Sequence, residues 1–337
     1  MPPLIERNQA GQRQDIADIV ANIVSEKTPC TSTLRKESRP NQKKMDYQVE
    51  TYPDASFDGV MDNADVSSFD SVPREEVTAI QQLFRRPWRV SRFADVTQVA
   101  GVPKGERGRQ RTKALIILKF MVESRILCDA DCTVDNGTDT PNRTRGAFHW
   151  MQTTAQSLFP VPASFRPAAN VRYTGALGSL TEDAFRQRLD RAYDQRRGEC
   201  NLMGFVGTEL KKVFDYFTVR VDAGSSNETY PVRTFTASQD SKKVLACVDI
   251  LEFSTGKVSL HLSSYLQRTP TTGGVTDFST RSGLFLDMSM WSLAYQDAPA
   301  LYDLENQGGG PRGYADCIMG LKSYNPLGQV VVSTDTD

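Results

Sequence analysis

The sequence predicts an α+β chain, and three observations carry that prediction. Residues 106–130, "ERGRQRTKALIILKFMVESRILCDA", hold no proline and no glycine after Gly108, which suits one long, uninterrupted helix. Residues 179–196, "SLTEDAFRQRLDRAYDQR", carry the start and stop signals of a second helix. Around both, short runs alternate apolar and polar residues with a period of two, as half-buried strands do.

Taken in order, the chain opens with an arm, residues 1–40. Within "DIADIVANIVSEKTPCTSTLRKES", Ile16, Ile19, Val20, Ile23 and Val24 fall on one helical stripe, and Thr28-Pro29 ends it. Some thirty residues with hardly any core-forming run follow, so the stripe has no evident local partner. "NQKKMDYQVETY" (41–52) then alternates as a strand with Met45, Tyr47 and Val49 on one face. The next stretch, "PDASFDGVMDNADVSSFDSVP", holds Asp54, Asp58, Asp62, Asp65 and Asp70 and no basic residue, and reads as a long acidic loop. A returning strand interrupted by Pro87 is expected over 75–96, which makes 41–96 a long hairpin with a bulky tip. A two-stranded ribbon is marginal by itself, so this one must lie across the body of its own chain or across another copy.

The long helix has apolar rows at Leu115, Leu118 and Val122, at Ala114, Ile117 and Met121, and at Ile116, Phe120 and Leu127, which predicts burial on most sides. At 1.5 Å per residue it would span roughly 30 Å. "GAFHWM" (146–151) reads as a short strand. In the helix at 179–196, Ser179 or Thr181 can cap the start, Glu182 and Asp183 suit its dipole, and Ala184, Phe185, Leu189, Ala192 and Tyr193 form the apolar face, with Gly198 ending it. "NLMGFVGTELKKVFDYF" (201–217) reads as strand, turn and helix. Strands are expected in "YPVRTFTA", "KKVLACVDILEF", "GKVSLHLSSYLQR", "GLFLDMSMWSLAYQ" and "ADCIMGLKSYNPLGQVVVS", with Gly308-Gly309-Gly310-Pro311 as a flexible connector.

Composition narrows the function. Lysine plus arginine total 40 against 41 acidic residues, a balance unlike the basic excess of a dedicated nucleic-acid binder. It also leaves little repulsion between copies. No targeting segment and no membrane-length apolar run are present. Of six cysteines, only Cys128 and Cys132 lie close together, without a second pair, so reduced thiols are expected rather than a zinc site. His149 and His261 are far apart in strand-like runs. "GVPKGERGRQRTK" lacks the Gly-Lys-Ser/Thr ending of a phosphate loop, and no nucleophile elbow, zinc-protease helix or dinucleotide fingerprint is found. No catalytic residue, metal site or cofactor is therefore expected. Arg85, Arg86, Arg89 and Arg92, and Arg107, Arg109, Arg111 and Lys113, are either solvated faces or sequence-independent contacts with phosphates or an acidic segment. The acidic loop offers such a segment on the same chain type, which suits a head-to-tail contact between copies.

The order of these segments resembles a known family: the major capsid proteins of tailed bacteriophages, with the Hong Kong 97-type fold. "DIVANIVSEKTPCTSTL", "RTKALIILKFMVES", "NLMGFVGTELKKVFDYF" and "LKSYNPLGQVVV" are the stretches that look like one branch of it. The resemblance covers nearly the whole chain through soft motifs. It implies an N-terminal arm (1–40), an extended loop (41–88), a peripheral domain (89–151) with the spine helix 106–130, an axial domain (152–312) and return strands (313–337). It implies a structural protein without enzyme activity, in which the arm stripe and the acidic hairpin lie on neighbouring subunits. Hexamers and pentamers would tile an icosahedral virion shell, assembled in the host cytoplasm around double-stranded DNA held non-specifically. The implied partners are other copies, a separate scaffolding protein, a portal, and a decoration or minor capsid protein, with no membrane. Some relatives cross-link through a loop lysine, and this sequence has none between Met45 and Pro103. The alternative reading is a sequence-independent DNA-binding protein using the basic start of the long helix.

Overall fold

A computed structural model describes residues 27–37, 42–52, 55, 57–66, 69, 71–97, 105–217, 249–266 and 279–333. The arm stripe Ile16, Ile19, Val20, Ile23 and Val24, the loop residues Asp54 and Asp70, and "YPVRTFTA" lie outside the described residues. The described chain is α+β, in the order α1 (Pro29–Thr33), β1 (Arg35–Glu37), β2 (Lys44–Val49), β3 (Glu75–Ile80), β4 (Gln82–Arg89), α2 (Arg92–Val96), α3 (Gly105–Ile126) and α4 (Ala147–Trp150). It continues with β5 (Arg172–Tyr173), α5 (Glu182–Arg196), β6 (Leu202–Val206), α6 (Thr208–Tyr216), β7 (Ile250–Phe253), β8 (Gly256–Leu262), β9 (Gly283–Leu286), β10 (Trp291–Leu304), β11 (Arg312–Ser323) and β12 (Val330–Val332). Sheets run β1-β10-β11-β4, β5-β12-β9-β6-β8-β7 and β2-β3. Two compact units are distinguished: one from the described residues of Arg85–Leu118 and Pro299–Asp316, the other from the remainder.

In the larger unit the six-stranded sheet mixes directions, with β6 parallel to β8 and antiparallel to β9. The apolar periods of α5 and α6 decide what covers it. Phe185, Leu189 and Ala192 of α5 and Leu210, Phe214 and Phe217 at α6 join Leu202, Val258, Phe285 and Val330 in one buried cluster. Phe185 lies 4.9 Å from Phe214 and 5.0 Å from Phe285 between ring centres. Thr181 caps α5 by accepting from Ala184 N–H, and Arg197, in the left-handed region at φ 57°, closes the helix one residue before Gly198. Tyr193 is half-exposed rather than part of the core.

Several sequence expectations are corrected. The 75–96 stretch is two strands and a helix: β3 pairs with β2, the chain breaks at Gln81, and β4 joins another sheet. Pro87 falls in β4, an edge strand of its described sheet, where alternate N–H positions face away from the ladder and a proline is tolerated. The long helix ends at Ile126, not 130, and the Arg125 side chain donates to the carbonyls of Asp131 and Thr144 beyond it. Its buried row is Ala114, Leu118, Val122 and Ile126, whereas Ile116 and Met121 face solvent. "GAFHWM" is one helical turn, α4, started by Gly146, whose carbonyl accepts from His149 and Trp150 N–H. The glycines at 308–310 make a tight loop rather than a flexible connector. Asn306 Oδ1 accepts from Gly308 and Gly310 N–H, Gly310 has φ +98°, and a Cβ there would stand 2.2 Å from the Val90 carbonyl.

A buried charge network fixes the segment after α3. The Arg145 guanidinium, 1 % exposed, donates from Nε to Asp131 Oδ1 at 2.8 Å and from Nη2 to the carbonyls of Leu158 and Phe159, and lies 4.8 Å over the Trp150 ring. Phe159 has φ +46°, a strained conformation for a residue with a side chain. His149 stands between two carboxylates, 3.2 Å from Asp129 Oδ1 and 3.6 Å from Asp131 Oδ2. Burial opposes the Asp131 charge, but His149 and Arg145 outweigh it and hold its carboxyl far below the usual range. Burial likewise opposes the His149 charge, and Asp129 and Asp131 outweigh it, so its pKa is raised.

Two stability predictions follow from these cores. Phe214→Ala empties the centre of the aromatic cluster and should lower stability by about 3–5 kcal/mol in urea unfolding of the unassembled chain; a loss under about 1 kcal/mol would contradict the packing described. A raised His149 pKa means the folded state holds that proton more tightly. Its contribution is complete below the ordinary histidine value near 6.5 and disappears as pH rises through the folded value. His149→Gln should remove that fall in stability above pH 6.5, and an unchanged profile would contradict the pairing.

Candidate assembly surface

Between β2 and β3 the described residues of 50–74 form neither strand nor helix. The described aspartates of this loop, Asp58, Asp62 and Asp65, are exposed, as the sequence leads one to expect. At its centre Ala64 N–H donates to the Met61 carbonyl across a turn in which Asn63 takes φ 68°, and Asp65 Oδ1 accepts from Val66 N–H. Asparagine tolerates this left-handed geometry better than most residues. What the sequence reading missed is the loop's apolar content. Tyr52, Phe57, Val60, Met61, Val66 and Phe69 are between 65 % and 99 % exposed. They are spaced among aspartate, serine and glycine, so they form no run that a hydrophobic pattern would flag. Monomeric proteins rarely hold so many large apolar side chains in water on one short segment.

The smaller unit carries the basic residues. Arg85 donates from Nη2 to Asp316 Oδ2 at 3.2 Å and covers the Tyr314 ring at 4.4 Å. Arg107 and Arg111 both reach Asp303, at 3.1 and 3.8 Å, and Arg109 lies 3.8 Å from Glu106. The basic start of α3 is thus largely compensated by its own unit. By contrast Arg86, Arg89, Arg92 and Lys113 are exposed and meet no carboxylate within ion-pair distance among the described residues. Beside Arg92, on the short helix α2, Phe93 and Val96 are 88 % and 79 % exposed. Their spacing of three puts them on the same side of the helix. The structure therefore sorts the eight basic candidates into four held by local acids and four left open, of which Arg92 shares α2 with the exposed Phe93 and Val96. Among the described residues, no group of three or more histidine, cysteine or carboxylate side chains could hold a metal ion, and no helix is long and apolar enough to cross a membrane.

With this geometry in hand, comparison with known proteins is direct. A family model described as SU10 major capsid protein matches residues 5–335. Similar solved structures include the cyanophage A-1(L) capsid asymmetric unit (TM-score 0.64, 11 % identity, 95 % of this chain and 96 % of that one). The capsid of cyanophage P-SCSP1u gives TM-score 0.62 at 8 % identity, over 99 % and 97 %. The capsid of a native GTA particle gives 0.61 at 10 % identity, over 96 % of each chain. Among curated proteins, none matches. The fold is that of phage capsid chains, and the Hong Kong 97-type assignment agrees with these neighbours. The DNA-binding alternative finds no support in them.

Compensation at the helix start can be tested directly. Asp303→Asn should cost less than about 1 kcal/mol, because the pairs it breaks are partly solvated. It should increase salt-sensitive retention on immobilised DNA by uncovering Arg107 and Arg111. Unchanged retention would mean that Asp303 does not mask these cations.

The chain belongs to the SU10 major capsid protein family, and its role is to form a virion capsid.

Proposed function

We propose that this capsid protein closes its shell as hexamers and pentamers through its extended loop, which lies on a second copy. The observation that carries this reading is the row of bare apolar side chains in an acidic loop. Full burial of each would stabilise the contact by about 1.5–3 kcal/mol before the cost of association is subtracted. The surface on the second copy is proposed to be made of the exposed Arg86, Arg89, Arg92 and Lys113, with Phe93 and Val96 beside Arg92 on α2. Opposite charge sets the register there, and apolar burial supplies the affinity. A loop and a receptor at different places on one chain make a heterologous contact, which closes into a ring when the rotation allows.

The arm stripe Ile16, Ile19, Val20, Ile23 and Val24 is proposed as a second inter-subunit element, and the loop aspartates Asp54 and Asp70 extend the acidic face. Double-stranded DNA is proposed as the enclosed cargo, touched without sequence preference. A scaffolding protein, a portal and a decoration or minor capsid protein complete the partner set that the resemblance implies. Family and fold are structural and point to no reaction.

Two variants separate the contributions. Phe57→Ser, Met61→Ser and Phe69→Ser together should abolish closed particles in sedimentation velocity and electron microscopy, while the subunit keeps its stability within about 0.5 kcal/mol per site. Reversal of Asp58, Asp62 and Asp65 to lysine should also block assembly of a folded subunit. Normal particles from the triple serine variant would refute the loop contact, and normal particles from the lysine variant would refute its electrostatic register.

A further inference from the structure

The β2–β3 ribbon is tied to the body at several points, and the ties lead back to one buried guanidinium. Thr144, 0 % exposed, holds the root. Its N–H donates to Gln82 Oε1 at 3.1 Å, one residue past the break that ends β3, and its hydroxyl accepts from Leu321 N–H of β11 at 3.0 Å. Next along the chain, Arg145 donates from Nε to Asp131 and from Nη2 to the carbonyls of Leu158 and Phe159. Asp131 holds the same segment: its Oδ2 accepts from the Ser157 hydroxyl at 3.0 Å and from Leu158 N–H at 3.4 Å. Leu158 is thus fixed through both its N–H and its carbonyl.

From Phe159 the chain follows the ribbon. Lys44 Nζ lies 5.1 Å over the Phe159 ring, and Lys44 pairs with Ile80 in the first rung of the ladder. Further on, the Ser164 hydroxyl donates to Glu75 Oε2, and Glu75 pairs with Val49 in the last rung before the loop. Between these contacts Val161 N–H donates to Gln156 Oε1 at 3.0 Å, and its carbonyl accepts from Arg166 Nε at 2.7 Å. Val161 and Phe165 are buried. One segment therefore meets the ribbon at both ends of its paired length. Phe159 sits at φ 46°, a conformation that persists only where the surroundings over-determine it. Here Arg145 holds its carbonyl and Lys44 covers its ring.

We propose that residues 157–165 form a strut that fixes the direction in which the extended loop leaves the body, and that Arg145 is its positioning residue. A buried ion pair adds little stability over apolar packing, because desolvation offsets the attraction. What a guanidinium supplies is a planar set of donors in a fixed fork. Here the fork joins one carboxylate to two successive carbonyls, which a lysine ammonium cannot reproduce. A loop that docks on a second copy gains from a fixed exit, because less freedom is lost on binding. That service to assembly rests on the loop contact proposed above, whereas the strut is a property of the single chain.

Hydrogen exchange with mass spectrometry on the full-length, unassembled chain tests it, with peptides from β2 and β3 read against a reference peptide from β6. Phe159→Gly with Ser164→Ala removes both side-chain contacts to the ribbon, and glycine accepts the positive φ without strain. This variant should raise exchange in β2 and β3 about three- to tenfold and leave β6 unchanged. Arg145→Lys keeps the charge but loses the fork, and should raise ribbon exchange by a similar factor. In the combined variant the two effects should not multiply, because both act through one segment. Should Arg145→Lys fail to fold, Asp131→Asn, which weakens the same anchor, takes its place. Unchanged ribbon exchange in the Phe159→Gly, Ser164→Ala variant, or an equal rise in ribbon and β6, would overturn the strut. Multiplied effects in the combined variant would overturn the role of Arg145. Particle yield in sedimentation velocity is read separately: a loosened ribbon should assemble poorly, and normal yield from it would overturn the service to assembly. The loop contact itself is judged by the triple serine variant above.

Discussion

A two-stranded ribbon is marginal by itself, and among the described residues the β2–β3 ribbon is supported along its paired length. There Met45 lies against Gly320, where a Cβ would stand 2.5 Å from the Met45 methyl carbon. The Tyr47 hydroxyl donates to the Ser323 carbonyl, the Tyr47 ring meets Tyr324 at 5.7 Å, and Lys322 covers both rings at 5.1 Å. Val77, Ala79 and Ile80 are buried along β3. Past Val49 and Glu75 the ladder ends, and Phe57, Met61 and Phe69 meet water. A chain built to function singly would be expected to trim or cover such a loop. A capsid subunit has another copy at hand, and the loop contact proposed above would turn a segment unsupported within one chain into support between chains.

How much of this was legible in the sequence depended on whether the signal was local. Helices α5 and α6 were readable because capping residues and apolar spacing lie within one element: Thr181 caps, and Phe185, Leu189, Leu210 and Phe214 point inward. Strand β2 was readable from the alternation of Met45, Tyr47 and Val49. What failed needed tertiary knowledge. The break at Gln81 arises because β3 and β4 join different sheets, and neither strand's composition records its partner. The turn at Ala147–Trp150 holds too few residues for period two and period 3.6 to be told apart. Within the assembly surface, the aspartates were visible as a charge run, whereas Phe57, Val60 and Met61 were hidden by the polar residues between them. The division of the arginines into compensated and open sets depends on Asp303 and Asp316, some two hundred residues away in sequence.

Two carboxylates, the partly buried Asp131 and the buried Glu123, show how one chemistry takes opposite values in this fold. Asp131 faces the Arg145 guanidinium and His149, and its charge is stabilised. Glu123 accepts from two N–H groups and a hydroxyl, with no cation paired to it among the described residues, and its charge is opposed by burial. Hydrogen bonds from neutral donors reduce the cost of burying a charge but do not match a cation at the same distance. Asp131 accordingly ties a segment of the body in place, while Glu123 fastens Cys30 and Thr31 of the N-terminal arm.

The central claim is that the loop's apolar side chains are covered by another copy. Hydroxyl-radical footprinting of Phe57, Met61 and Phe69, in intact particles and in dissociated chains from the same preparation, tests it most directly. The account predicts strong oxidation of all three in dissociated chains and protection of all three in particles, with Phe93 on α2 protected alongside them. Equal oxidation of the loop residues in both states would show that the shell leaves them in water, and would contradict the account.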